Sequence, residues 1–371
     1  MHLCFILGTR PEGIKLAPLI IKARDDGIKC TVISTGQHRE ILNDVLKFFK
    51  IKVDISLRLM THNQDLCSLS SKILNKVSLC LKKINPTFVI TQGDTLTTLF
   101  GSLSAFLNNY KVVHVEAGLR TDNLFSPFPE EGNRRLVTQI ASLNFAATQN
   151  AKIALLKDGV SKNKIRVVGN TVIDALKYTE AHLGKNINYY KNKLERMTTK
   201  SFLSKKIILI TTHRRENFGE NLLNIIKSIR LICENFDVNI IIPVHPNPNI
   251  KDIMYRTLGN KQNIYLIEPQ NYVNFVYLMS ISEIILTDSG GVQEEAPSLG
   301  KPILVLRKET ERNEGIQANQ AILVGVNSNN ILRTVKKLLN NKAYYNKFSS
   351  KKNIYGNGKS CEKIIKYLKN I

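Results

Sequence analysis

Lys111-Val112-Val113-His114-Val115-Glu116-Ala117-Gly118-Leu119-Arg120, running on to Pro129-Glu130-Glu131-Gly132-Asn133-Arg134-Arg135, decides how the chain reads. A β-like run over Lys111 to Val115 breaks at its carboxyl end into a loop of Gly, Pro, Asn and Ser. Four carboxylates (Glu116, Asp122, Glu130, Glu131) and three arginines then fall within 20 residues. Carboxylates at a strand end or on a loop can be aimed at a ligand, whereas charges on a helix face usually meet water. In a chain with a formal net charge of +23, acids held among arginines fit acid/base chemistry on an anionic substrate. The competing reading is an arginine–carboxylate network that only stitches the loop.

The same strand-then-polar-end pattern recurs on both sides. Apolar, β-rich runs near Leu3–Leu7, Cys30–Ser34, Thr87–Thr91, Val112–Val115, Leu143–Ala146 and Ile165–Val168 alternate with helical periodicity such as Ile14–Arg24, Leu66–Ile84 and Thr95–Leu107. The second half repeats the scheme. Its strands are expected at Ile207–Thr211, Val238–Pro243, Ile264–Ile267, Ile284–Thr287 and Ile303–Leu306, and its helices include Asn221–Asn235, Tyr272–Met279 and Val292–Leu299. Nearly continuous apolar strands alternating with helices imply buried parallel sheets, hence an α/β protein. With 371 residues, two domains are expected. We place an N-terminal Rossmann-like domain at 1–175, with the C-terminal helix 358–371 packing back on it, and a C-terminal one at 176–357. A polar, lysine-rich stretch from about Thr179 to Lys205 joins them, and a cleft is expected between the facing domains.

Composition narrows the class further. No apolar run approaches the roughly 20 residues that span a bilayer, and the N-terminus lacks a signal peptide's cleavage pattern. The six cysteines are scattered with no C-x-x-C pair, so neither a disulfide scaffold nor a structural zinc is indicated and a reducing cytoplasm fits. Lysines concentrate in Lys185–Lys206 and Arg333–Lys369, where the only acids are Glu195 and Glu362. Such a bias raises nucleic-acid binding. The lysines are interspersed with Asn and no nucleic-acid-binding signature appears, so a Lys/Asn-rich surface is the simpler reading.

In doubly wound sheets ligands bind beyond the carboxyl ends of the strands. Asp94 follows Thr91-Gln92-Gly93, Glu116 follows Val115, His213 follows Thr211-Thr212, and Asp288-Ser289 follow Thr287. Four strand ends with reactive groups outweigh any one alone. Thr287-Asp288-Ser289-Gly290-Gly291-Val292-Gln293-Glu294-Glu295 reads as strand, small-residue turn and helix start, where backbone N–H groups and the helix dipole can hold phosphate. Glu295, one turn in, could accept from ribose hydroxyls. An ordinary helix capped by Ser289 or Asp288 is the alternative. Gly8-Thr9-Arg10-Pro11-Glu12-Gly13-Ile14-Lys15 is the equivalent first turn, with Arg10 and Lys15 able to carry positive charge toward a ligand or simply to lie on the surface. His213 and His245 sit beside arginines or prolines without zinc-like spacing, so no metal is expected. Arg307 and Glu309-Thr310-Glu311-Arg312 either close the nucleotide pocket or form a solvated salt-bridge cluster.

Taken in order, GTRPEGIKLAPL (8–19), TGQHREIL (35–42), TQGDT (91–95), HVEAGLRT (114–121), PFPEEGNRR (127–135), VVGNTVIDAL (167–176), THRRENFGE (212–220), PVHPNP (243–248) and LTDSGGVQEEAPSLGKPILVLR (286–307) resemble the non-hydrolysing UDP-N-acetylglucosamine 2-epimerases, from residue 8 to about residue 358. The resemblance implies a glycosyltransferase-B fold, usually a homodimer, with neither metal nor nicotinamide cofactor. It also implies interconversion of UDP-GlcNAc and UDP-ManNAc for surface polysaccharides. It assigns Asp94, Glu116 and Glu130 as acid/base carboxylates and His213 as the diphosphate-side histidine. Arg10 and Lys15 match charge-clamping positions; Ser289, Gly290 and Gly291 match the phosphate turn. Glu295 matches the ribose contact, Gln270 and Phe275 the uracil neighbourhood, and Arg312 a substrate-pocket arginine. Departures are Gly13 in the motif usually written RPEA, Asn313 where Pro is usual, and Asn357 in Tyr355-Gly356-Asn357-Gly358. Some bacterial members bind a second UDP-GlcNAc as activator. Gln37 of that site is present but its arginine is missing from Met60-Thr61-His62-Asn63-Gln64, so the same activation is not expected.

Overall fold

The computed structural model describes residues 1–36, 39–60, 64–121 and 123–371. It divides into two compact units, Met1–Tyr178 with Tyr355–Ile371, and Thr179–Ile354. The first holds strands β1 (His2–Leu7), β2 (Lys29–Ser34), β3 (Ile55–Ser56), β4 (Phe88–Gln92), β5 (Lys111–Ala117), β6 (Leu143–Ala146) and β7 (Ile165–Val167). All pair in parallel in the order β3-β2-β1-β4-β5-β6-β7. The second holds β8 (Lys206–Thr211), β9 (Val238–Pro243), β10 (Ile264–Ile267), β11 (Ile284–Thr287), β12 (Ile303–Val305) and β13 (Ile322–Leu323), again parallel, in the order β10-β9-β8-β11-β12-β13.

The apolar runs form strands because both sheet faces are covered. Leu3, Cys4, Phe5, Ile6 and Leu7 are all completely buried, which a strand with one wet face could not achieve. In the second unit Ile208, Ile210, Ile240, Ile242 and Leu286 pack against Ile225, Ile229 and Val335 of the flanking helices. Several helix starts are fixed by a side-chain oxygen, as where Thr95 accepts from the Thr98 N–H and Asn271 from the Asn274 N–H. The expectation of an α/β protein with two Rossmann-like parallel sheets is borne out.

One local expectation gains detail and another is corrected. The polar, lysine-rich stretch Thr179–Lys205 carries the end of the helix Thr171–Lys185 and the whole helix Ile187–Met197. Leu183, Tyr190 and Leu194 recur at helical spacing and are buried while the lysines face outward, so polarity hid an amphipathic pattern. The helix expected over Val292–Leu299 begins at Gly290 and is α-helical only to Glu295. Ala296–Leu299 winds as a 3₁₀ turn around Pro297, which has no N–H to continue the ladder.

The chain's last helix, Ser360–Lys369, belongs to the first unit. Asp174 accepts from the Ser360 and Cys361 N–H groups, and Lys369 pairs with Asp26 at 2.8 Å. Gln37 and Asp122, like residues 61–63, lie outside the described residues.

One irregularity sets the direction of a reactive side chain. Pairing between β5 and β6 runs from Val115↔Phe145 to Ala117↔Ala146, so Glu116 is an extra residue, a β-bulge. Its φ is +64°, the left-handed region that costs a non-glycine residue about 1–3 kcal/mol. The chain recovers at Gly118, whose φ is +93° and whose absent Cβ would lie 2.3 Å from the Ala151 carbonyl oxygen. Gly118→Ala should therefore lower the unfolding free energy by about 2–5 kcal/mol. Gly184→Ala, on an exposed helical position with open space around it, should raise it by about 0.5–1 kcal/mol. Urea denaturation of the two variants checks both signs.

Candidate active site

Each sheet reverses its winding at one place, between β1 and β4 in the first unit and between β8 and β11 in the second. Such switch points leave a crevice at the carboxyl ends of the strands. Arg10 and Lys15 open the helix Arg10–Asp25 after β1, Asp94 lies in the turn after β4, and Glu116 ends the adjacent β5. Lys15 Nζ meets Glu116 Oε2 at 2.5 Å and Oε1 at 2.7 Å, and Gln92 Nε2 donates to Glu116 Oε2 at 2.5 Å. The bulge thus turns the Glu116 carboxylate toward the β1/β4 crevice, where a cation and an amide hold it.

Asp94 is held from the other side. Arg134 Nη2 and Nε reach its Oδ2 at 2.7 and 2.8 Å, and Asn133 Nδ2 donates to its carbonyl at 2.7 Å. The preceding Gly93 carbonyl accepts from His114 Nε2 at 2.8 Å. His114 is completely buried, and burial pushes its pKa down to about 4, so it is a neutral imidazole fixed in one tautomer by that carbonyl. Glu130 opens the helix Glu130–Ile140 and is half-buried. The next residue, Glu131, is fully buried; it accepts from the Thr121 N–H and pairs with Arg134 and Arg135. Arg120 pairs with Asp158 at 2.6 Å. The arginine–carboxylate network therefore exists, and it holds the loop beside Asp94.

In the second unit the centre is Asp288, at the end of β11 and fully buried. It accepts from Thr212 Oγ1, the His213 and Arg214 N–H groups and Asn217 Nδ2, and His213 Nδ1 lies 3.0 Å from its Oδ1. Burial alone would raise the Asp288 pKa. The hydrogen bond and charge of His213 and the two backbone N–H groups overcome this and bring it down to about 2. The His213 ring is fixed through Nδ1, which leaves Nε2 for a ligand, and it stacks on His245 with centroids 6.1 Å apart.

Beyond β11 the Ser289–Gly290–Gly291 turn opens its short helix. Ser289 caps it without a side-chain hydrogen bond, so its hydroxyl is not the cap. A Cβ on Gly290 would sit 2.5–2.9 Å from the Arg312 guanidinium, so only glycine lets that group lie against the turn. Glu294 holds Arg312 through Nε and Nη2, both at 2.8 Å. Glu295 accepts from the Tyr272 hydroxyl at 2.9 Å. Gln270 accepts from Asn274 Nδ2 at 3.0 Å, with half-buried Phe275 one residue on. Arg307 joins Glu216 at 2.6 Å and Glu311 at 2.7 Å, and Arg214 reaches Glu311 at 3.8 Å.

The strand-end residues expected from sequence are thus assembled at the two switch points. Gln92 and Glu12, the latter buried in the first turn of the helix after β1, were missed, and Arg134 and Asp288 were noted without their partners Asp94 and His213. Only Glu12 carried a signal, the capping-box spacing Thr9-x-x-Glu12. The others depend on which strands become neighbours. Among the described residues no group of three or more His, Cys, Asp or Glu is placed to hold a metal, and no helix is long and apolar enough to cross a membrane.

Asp288 and Glu311 both have carboxyls depressed to about 2, for Glu311 against its burial by the Arg307 hydrogen bond and the Arg312 and Arg307 charges. A depressed carboxyl stabilises above its unfolded pKa and loses that stability as pH falls toward the folded value. Each should contribute on the order of 2–3 kcal/mol at neutral pH, lost between about pH 4.5 and 2. Urea midpoints of wild type and Glu311→Gln should therefore converge as pH falls; a constant gap would contradict this origin.

Comparison with known proteins agrees with this geometry. The family model for UDP-N-acetylglucosamine 2-epimerase matches residues 21–369. A UDP-N-acetylglucosamine 2-epimerase of Campylobacter jejuni is 45% identical, covering 98% of this chain and 96% of its own length. A crystal structure of the UDP-GlcNAc 2-epimerase from Neisseria meningitidis bound to UDP-GlcNAc superposes with a TM-score of 0.93 at 43% identity, covering 100% of both chains. The Methanocaldococcus jannaschii UDP-GlcNAc 2-epimerase in complex with UDP-GlcNAc and UDP gives 0.85 at 36% identity, again covering 100% of both. Two Rossmann-like parallel sheets, reactive groups at both switch points and similarity along the whole chain converge: the chain belongs to the UDP-N-acetylglucosamine 2-epimerase family of isomerases.

Proposed function

We propose that the chain interconverts UDP-GlcNAc and UDP-ManNAc by eliminating UDP to a 2-acetamidoglucal and adding it back. The observation that carries this reading is the Glu116 carboxylate, held in a left-handed bulge by Lys15 and Gln92 beside the turn of Asp94. The hydrogen on C2 is not next to a ketone, so it leaves together with UDP. A carboxylate takes the C2 proton, the C2–H electron pair forms the C1=C2 bond, and the C1–O pair departs on the diphosphate. Re-addition with the proton delivered to the opposite face inverts C2. Glu116, Asp94 and Glu130 are the acid/base groups of this scheme, each worth about 10²–10⁴-fold.

The second unit serves the nucleotide. The Ser289–Gly290–Gly291 turn and Arg312 receive the diphosphate, and His213, fixed by Asp288, faces the charge that grows as UDP departs. Glu295 meets the ribose, and Gln270 and Phe275 the uracil. Arg10 supplies further positive charge. Lys15, whose ammonium lies on Glu116, serves that carboxylate as well as any bound phosphate. No cofactor or metal enters the scheme. We read the working form as a cytoplasmic homodimer whose product supplies ManNAc units for surface polysaccharide.

Incubation with UDP-GlcNAc in D₂O should give a mixture with UDP-ManNAc carrying deuterium at C2. Glu116→Gln should lower kcat by about 10²–10⁴-fold. Unlabelled C2 with unchanged substrate would refute the reading, and release of free ManNAc would mark a hydrolase instead.

A further inference from the structure

We propose that Glu12 is the positioning residue of the first switch point, and that it works as a neutral carboxylic acid tying the turn after β1 to the turn that carries Asp94. Glu12 sits in the first turn of the helix Arg10–Asp25 and is 1% exposed. Its Oε2 accepts from the Gly8 N–H at 2.8 Å, the Thr9 N–H at 2.7 Å and Thr9 Oγ1 at 2.9 Å. Its Oε1 meets Thr95 Oγ1 at 2.5 Å and Thr98 Oγ1 at 3.0 Å. One carboxyl thus spans the two strand ends between which the sheet reverses.

Counting protons assigns its charge. Thr98 Oγ1 also lies 2.6 Å from the Gln92 carbonyl oxygen. A carbonyl has no proton to give and a hydroxyl has only one, so the single Thr98 proton belongs to that contact. The 3.0 Å approach of Thr98 Oγ1 to Glu12 then has a proton only if the carboxyl supplies it. The hydroxyl oxygen of the acid keeps a lone pair for Thr95. A helix N-terminus favours an anion, but complete burial opposes one. Burial pushes the Glu12 pKa up, and the hydrogen bonds from Thr95, Gly8 and Thr9 do not bring it back to its ordinary value. The charged groups on the packed elements are Arg10 and Lys15 of its own helix and Asp94 of the facing turn. Lys15 lies on Glu116 and Asp94 on Arg134.

The consequence reaches the reacting groups through Thr98. By fixing that hydroxyl, Glu12 fixes the Gln92 carbonyl; Gln92 in turn donates to Glu116, and Asp94 follows two residues later. The kinetic part of this inference rests on the epimerase reading; the charge state does not. Glutamine reproduces the neutral acid, with an oxygen for the Gly8 and Thr9 donors and an N–H for Thr98. Glu12→Gln should keep kcat within about threefold, whereas Glu12→Ala and Thr98→Val should each lower it about tenfold or more with a smaller change in KM. Thr98→Val keeps the test open should Glu12→Ala not fold. Equal losses in Glu12→Gln and Glu12→Ala would overturn the neutral acid, and wild-type kcat in Thr98→Val would overturn the positioning role. Independently of turnover, the infrared difference between wild type and Glu12→Gln at neutral pH should contain the carbonyl band of a protonated carboxyl group. A carboxylate band there would overturn the inference, and an inactive wild type would sink the epimerase reading while leaving this spectrum to decide the charge.

Discussion

A buried carboxyl group at the place where each parallel sheet changes its winding direction is the constraint on which the polar cluster of each unit depends. Two strands that part at a switch point leave the N–H groups of the following turns without ladder partners, and buried donors must be satisfied. Glu12 fills this role between β1 and β4, and Asp288 between β8 and β11. The environments differ in one respect. Asp288 receives two backbone N–H groups, an amide, a hydroxyl and an imidazole nitrogen, and its carboxyl is drawn down to about 2. Glu12 has two backbone N–H groups and the Thr9 and Thr95 hydroxyls, while the Thr98 proton goes to the Gln92 carbonyl, and burial pushes its carboxyl up. The same topological position thus holds an anion beside a histidine in one unit and an uncharged clamp beneath the carboxylates in the other.

Local strain is stored one strand away. Glu116 adopts a left-handed backbone that β-branched or apolar residues of a regular strand avoid, and the neighbouring structure over-determines it. β4 fixes β5 on one side through Gln92↔Val115, and β6 fixes it on the other at Val115↔Phe145 and Ala117↔Ala146. Gly118 then returns the chain against the Ala151 carbonyl. A side chain on a regular strand alternates between the two faces, where flanking helices cover it. The bulge is what lets a carboxylate at this position leave that alternation and meet Lys15.

Much of this was legible in the sequence because the signal is local. Continuous apolar runs such as Phe5–Leu7 and Ile207–Ile210 announce parallel strands, and polar residues at their ends announce where chemistry belongs. What could not be read was pairing. The partnership of Asp288 with His213 spans 75 residues and exists only because β8 and β11 become neighbours, so the aspartate could be read as a strand-end group or a helix cap but not as the partner of that histidine. The left-handed turn at Glu116 follows from a register shift against β6, which no spacing in the strand itself records. The helix Ile187–Met197 was obscured for the opposite reason: its few apolar positions were outnumbered by polar ones, although their spacing was helical.

The arginines of the second unit show how a strongly basic chain handles charge near its site. Arg214, Arg307 and Arg312 lie among Glu216, Glu294 and Glu311, and these ion pairs keep three guanidinium groups close together without an excess of local repulsion. The matching is uneven. Arg307 and Arg312 have carboxylates at 2.6–2.8 Å, while Arg214 reaches Glu311 only at 3.8 Å. Burial and the neighbouring Arg307 and Arg312 charges lower the Arg214 pKa, the mark of a cation short of compensation. Arg214 also follows His213 directly and donates its backbone N–H to Asp288. The charge balance here is thus set by ion pairs within the folded unit, with Arg214 the least closely matched guanidinium, and not by the lysines that give the chain its net charge.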